Sequence, residues 1–114
     1  MTTSRNAIAV LVVTSGQRLR TRVPRLTGRK GSVVAVASWE RAASYLAMDP
    51  TVVVTDAVTV RHQREQAEHA LRHSTARIAV VGGKAPLPHW LQAIDAVALD
   101  SRELQGFLGE SCVA

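Results

Sequence analysis

The stretch TVVVTD, residues 51–56, combines three β-branched apolar residues with two threonines and a closing carboxylate. β-branched residues favour strands, and an apolar run without polar alternation is typical of a strand that is buried on both faces of a parallel sheet. The run therefore predicts a central strand with Asp56 at its carboxyl end. Whether this carboxylate carries chemistry or only ends the strand depends on the rest of the chain.

Four further apolar runs of strand length alternate with segments that have helical spacing. The strand-like runs are Ile8–Val13, Val33–Ala37, Ile78–Val81 and Ala96–Leu99. The helical segments are Gln17–Thr27, Trp39–Met48, Arg61–His73, Leu87–Ile94 and Arg102–Leu108. Alternating strands and helices predict βαβ units, so we expect a five-stranded parallel sheet with helices on both faces. We expect one α/β domain over residues 1–114.

Capping residues agree with these boundaries. Ser38 and Ser101 precede the second and fifth helices and are predicted to be their N-caps. Gly28 follows the first helix as a stop signal. Pro24 lies inside that helix and predicts a kink or an early end, because proline removes a helical hydrogen bond.

The composition is that of a globular protein rather than a disordered or membrane-spanning one. Hydrophobic residues make up 46% of the chain, and every apolar run is shorter than the roughly 18 residues of a membrane span. Its beginning does not fit a signal peptide, and the single Cys112 cannot form an internal disulfide. We therefore expect a cytoplasmic protein. The net charge of +5 is compatible with an anionic partner or simply with a solvated surface.

Ligands of such sheets bind beyond the carboxyl ends of the strands, and here those ends carry few charged groups. Five β/α units with an aspartate closing the third strand resemble the receiver domain of bacterial response regulators, over about residues 6–111. The resemblance implies the strand order 2-1-3-4-5 and phosphorylation at Asp56. It also implies an acidic pair that holds Mg²⁺ after the first strand, a Ser or Thr after the fourth, and a Lys after the fifth.

The remaining receiver positions depart from that pattern. Thr14 and Ser15 stand in place of the acidic pair, Gly82 in place of the hydroxyl residue, and Asp100 in place of the lysine. Lys84 supplies a nearby cation, but at a different position. Mg²⁺ prefers carboxylate oxygens, and phosphoryl transfer depends on charge neutralisation. The sequence therefore predicts a pseudo-receiver without enzymatic activity, metal or cofactor, in which Asp56 is structural.

Two helices carry polar stripes. Arg18, Arg22, Arg25 and Arg29 recur at i, i+4, i+7 and i+11 and fit either a phosphate- or acid-binding face or a solvated one. His62, Gln66, His69 and His73 repeat the spacing on the third helix. His69 and His73 have the spacing of a metal clip, but an exposed face that gains charge at mildly acidic pH is the other interpretation.

Trp90, beside His89 on the fourth helix, is the leading candidate for an aromatic interaction anchor. The receiver resemblance implies that partners or a second copy dock on the fourth and fifth helices. The alternative is that Trp90 covers the sheet.

We therefore expect a phosphorylation-independent signalling or transcription-regulatory module, alone or as the N-terminal domain of a longer regulator. It would bind another protein or form a homodimer, with no membrane contact, and with nucleic acid only through the arginine stripe. Two alternatives remain open. One is a sensor of small anions or nucleotides at Thr14, Ser15 and residues 82–84, and the other is a true phosphoreceiver that uses Asp56.

Overall fold

Strands and helices alternate along the chain in the computed structural model, which describes residues 8–27, 33–82 and 87–112. The strands are β1 (Val10–Val13), β2 (Val33–Val36), β3 (Val52–Asp56), β4 (Arg77–Val81) and β5 (Val97–Leu99). The helices are α1 (Gln17–Thr27), α2 (Trp39–Leu46), α3 (Ala57–His62), α4 (Arg64–Arg72), α5 (His89–Ala93) and α6 (Ser101–Cys112).

The five strands form one parallel sheet in the order β2-β1-β3-β4-β5, as predicted. β3 is central, and its residues from Val52 to Thr55 are buried. The register pairs Val13 with Thr55 and Asp56 with Val81, so the carboxyl ends of β1, β3 and β4 meet at one edge. The fold is therefore an α/β sandwich of the flavodoxin-like class.

Helices cover both faces of the sheet, and alternate strand residues point to each. On one face the buried core includes Leu11, Val13, Val53, Trp39, Leu71 and Leu91. On the other face it includes Val10, Val12, Val54, Val23, Leu104 and Leu108. Strands that are buried on both sides cannot alternate polar and apolar residues, which explains the continuous apolar runs.

The third predicted helix is two helices separated by Gln63. The backbone dihedral angles of Gln63 are φ −125° and ψ 41°, outside the helical region. The Gln63 side-chain oxygen accepts a hydrogen bond of 2.7 Å from the backbone N–H of Trp39, the first residue of α2. The helix also starts earlier than predicted, at Ala57. The single histidine face was therefore wrong, because His62 belongs to α3 and His69 to α4.

The other helix boundaries include one confirmed cap and two corrections. Ser38 caps α2 as predicted, accepting from the N–H of Arg41 at 3.3 Å. α6 is capped by Asp100 and not by Ser101. The Asp100 carboxylate accepts from the N–H of Glu103 at 2.8 Å, and the Glu103 carboxylate accepts from the N–H of Asp100 at 3.0 Å, a reciprocal capping box.

α1 does not end early at Pro24, as one alternative had predicted, but continues to Thr27. Its predicted stop signal, Gly28, lies outside the described residues. Within the described ranges, no helix has both the length and the apolar character needed to cross a membrane.

Replacing Gln63 with alanine removes the acceptor for the Trp39 N–H. We expect Gln63→Ala to lower the free energy of unfolding by about 1–2 kcal/mol, as for a lost helix cap. Urea unfolding followed by circular dichroism measures this change. The control is Gln66→Ala at an exposed position of α4, which should change stability by less than about 0.5 kcal/mol. Equal effects at the two positions would show that the contact does not stabilise the fold.

Candidate functional site

The pairing of β1 with β3 places Thr14 and Asp56, the residues at the ends of these strands, side by side. The Thr14 side chain is fully buried, and its hydroxyl donates a hydrogen bond to Oδ2 of Asp56. One residue earlier, the Thr55 hydroxyl donates to the Val13 carbonyl at 2.7 Å. Side-chain hydrogen bonds therefore join the two strand ends beyond their backbone ladder.

Asp56 is also the N-cap of α3. Its Oδ1 accepts from the backbone N–H of Thr59 at 2.7 Å. An N-cap carboxylate satisfies an otherwise unpaired helical N–H and interacts favourably with the positive end of the helix dipole. Both carboxylate oxygens of Asp56 thus accept hydrogen bonds from within the protein.

Two more hydroxyls close this network around the β1–α1 loop. Oγ1 of Thr59 accepts from the Ser15 N–H at 3.0 Å and lies 3.2 Å from the Ser15 hydroxyl oxygen. Oγ1 of Thr14 accepts from the Gly16 N–H at 2.9 Å. We call Thr14, Ser15, Asp56 and Thr59 the strand-end network. Its members join the β1–α1 loop to the first turn of α3.

Thr59 is the member of this network that the sequence analysis missed. An N-cap aspartate accepts a hydrogen bond from the N–H of the third helical residue, so the Asp56 to Thr59 spacing was an available signal. It was overlooked because the helix was predicted to begin at Arg61.

The remaining receiver-like positions do not join the strand-end network. Asp100 caps α6 through its carboxylate, which accepts from the N–H groups of Arg102 and Glu103. Gly82 has a positive φ of 78°, which favours glycine, and its N–H donates to the Leu99 carbonyl at 3.2 Å. Lys84 lies outside the described residues. Among the described residues, the strand-end network thus contains Thr14 and Ser15 of the predicted pocket, together with Asp56 of the phosphoacceptor position.

Two of the residues predicted to share a histidine face, His69 and His73, are in contact. The rings of His69 and His73 meet edge to face with centroids 5.9 Å apart. Among residues 8–27, 33–82 and 87–112, no three His, Cys, Asp or Glu side chains form a group that could hold a metal ion. The arginine stripe is exposed at Arg18, Arg22 and Arg25, and Arg29 lies outside the described part of the chain.

Trp90 combines features of both alternatives. It is half-buried and packs against the core cluster on its face of the sheet, while His89 is exposed. One side of Trp90 borders a cleft of about 530 Å³ between α3, α4 and α5, which we call the Trp90 cleft. It also borders a smaller groove of about 230 Å³ between α4 and α5, which we call the outer groove. Phe107 of α6 is buried on the opposite face of the sheet.

No protein-family model matches the chain, and neither the curated proteins nor the solved structures compared with it include a match. The α/β class thus rests on the strand order and parallel pairing described above. The receiver resemblance rests on the residues alone and stays a prediction.

Variants of Asp56 separate its role as a cap from its charge. We expect Asp56→Ala to lower the free energy of unfolding by about 1–2 kcal/mol, because the Thr59 N–H loses its acceptor. Asp56→Asn keeps an acceptor oxygen and should lose less than half as much. Chemical denaturation of the two variants measures both values. An alanine variant more stable than the wild type would show that the carboxylate is strained instead of stabilising.

A second pair of variants tests the buried hydroxyl. Thr14→Val keeps the side-chain shape but removes both the donor to Asp56 and the acceptor for Gly16. We expect a loss of about 1–3 kcal/mol in the free energy of unfolding. Thr51→Val makes the same change at an exposed position and should stay within about 0.5 kcal/mol of the wild type. Matching losses in the two urea titrations would contradict the network.

Proposed function

We propose that the protein is a receiver-like regulatory module that acts by binding another protein, without accepting a phosphoryl group. The observation that carries the proposal is the state of Asp56, whose two carboxylate oxygens accept hydrogen bonds from Thr14 and Thr59. A carboxylate that acts as an N-cap in this way stabilises the fold without further chemistry.

The electrostatics of the strand ends support the same proposal. Mg²⁺ needs several hard oxygen ligands, preferably with more than one carboxylate. Thr14 and Ser15 provide neutral hydroxyls that the strand-end network already uses. A phosphoryl group on Asp56 would add negative charge, and no further carboxylate stands at Thr14 or Ser15 to help hold a neutralising metal ion. The phosphoryl group would also displace the donor groups of Thr14 and Thr59.

The network also weighs against a small-anion sensor at this position. Such a sensor would bind phosphate through free backbone N–H groups before α1. Here the N–H of Ser15 donates to Thr59, and the N–H of Gly16 donates to Thr14. An anion that binds through these two N–H groups would have to break both hydrogen bonds. Recognition of a protein through the helical surfaces requires no such rearrangement, and the Trp90 cleft offers a surface of suitable size.

Incubation with acetyl phosphate and Mg²⁺, followed by intact-mass spectrometry, tests the absence of phosphoryl transfer. We expect no phosphoryl adduct on the wild type, and a spectrum identical to that of Asp56→Asn treated in parallel. A phosphorylatable receiver domain in the same buffer verifies the reagent, and circular dichroism verifies that the protein is folded. An adduct on the wild type that the asparagine variant lacks would refute the proposal and establish a phosphoreceiver.

A further inference from the structure

The Trp90 cleft has an apolar floor. Side chains from β4, α3, the segment before α5 and α5 itself contribute to it, and those that are buried include Val60, Val80, Leu87 and Leu91. Trp90 forms one wall. A partly buried tryptophan beside an apolar depression is the type of residue that contributes most to protein–protein binding, because it offers a large area with little conformational entropy to lose.

The rim of the cleft is basic. Arg61 and Arg64 line it, and both are exposed. Nε of Arg64 lies 3.8 Å from Oε1 of Glu68, while Oε2 of the same carboxylate lies 2.9 Å from Arg72. One carboxylate thus faces two guanidinium groups, and exposed pairs of this kind are weak. The other acidic residue of α4, Glu65, is exposed and lines neither depression.

The outer groove continues the same surface beyond Trp90. It is lined by Glu68 and Arg72 from α4 and by Trp90, Ala93 and Ile94 from α5 and its end. Trp90 therefore separates two depressions that both lie between α4 and α5. Two apolar sites on either side of an aromatic ridge suit a helix that presents apolar side chains at the spacing i, i+3 or i+4, and i+7.

We propose that the Trp90 cleft and the outer groove together bind an acidic amphipathic helix of a partner protein. The helix would place apolar side chains on either side of Trp90 and carboxylates against Arg61 and Arg64. This inference rests on the proposed protein-binding function and names its surface and the chemistry of its partner. It differs from the expectation of docking on the fourth and fifth helices, here α5 and α6, because both depressions face α4.

Charge complementarity decides against a second copy as the occupant. A twofold-symmetric dimer would bury this surface against a copy of itself, so both sides of the interface would carry the same positive excess from Arg61 and Arg64. Facing like charges at an interface is unfavourable, and the chain as a whole carries a net charge of +5. An acidic helix instead places opposite charges together.

The test uses the full chain, labelled with ¹⁵N, and two synthetic peptides of about 15 residues, long enough for several helical turns. One peptide carries leucine at helical spacing and glutamate elsewhere, and the other replaces each glutamate with lysine. We expect the acidic peptide to shift the indole N–H signal of Trp90 and the amide signals of α4 and α5. The basic peptide should leave them in place.

Charge-reversal variants then locate the binding. The double variant Arg61→Glu, Arg64→Glu should weaken the acidic peptide by at least about tenfold, since it reverses two rim charges. The matched control Arg18→Glu, Arg25→Glu makes the same change in charge on α1, at exposed positions, and should stay within about threefold of the wild type. Both pairs are exposed, so circular dichroism should show unchanged folding.

Several results would overturn the inference. Equal shifts with both peptides, no shifts, or equal weakening by the α1 control would each exclude this surface as an acid-specific site. A response to indole-3-acetate without one to the acidic peptide would make the cleft a small-molecule site. Concentration-dependent dimerisation abolished by the Arg61→Glu, Arg64→Glu pair would make the occupant a second copy. The acetyl phosphate assay is independent, so a phosphoryl adduct would refute the proposed function without deciding where a helix binds.

Discussion

The parallel pairing of β1 with β3 is the constraint on which the rest of the structure depends. It aligns Val13 with Thr55 and so sets Thr14 beside Asp56 at the same edge of the sheet. Parallel neighbours require crossover connections, which place α1 on one face and α2 on the other. The strand-end network exists only because of this register, since a shift of one residue would turn the side chains to opposite faces.

Within that frame, the carboxyl edge of the sheet is stabilised by aspartate caps and by threonine hydroxyls together. Asp56 caps α3, Asp100 caps α6, and Thr14 and Thr59 satisfy N–H groups of the β1–α1 loop. Each of these contacts fixes the position of a helix relative to the sheet. The edge is a well-satisfied structural region, and the basic and apolar surface that we propose for binding lies to one side of it, around Trp90.

The strands were predictable because a strand that is buried on both faces must be continuously apolar, and runs such as Ile8–Val13 and Val52–Val54 show that pattern directly. The break at Gln63 was not, because it depends on a tertiary contact with Trp39 that no local spacing reveals. The Asp100 cap was missed because Asp100 and Ser101 are both good capping residues in adjacent positions. The half-burial of Trp90 depends on its tertiary packing against the core cluster, which the sequence does not encode locally.

The contact between Gln63 and Trp39 also has a consequence for folding. The first turn of α2 receives one of its hydrogen-bond acceptors from a residue 24 positions further along the chain. Closing such a loop costs entropy, which must be offset by other contacts that form at the same time. α2 therefore cannot complete its own amino terminus as an isolated helix. Its first turn is completed only when the break at Gln63 is in place, which couples the formation of α2 to that of α4 although β3 and α3 separate them in the sequence.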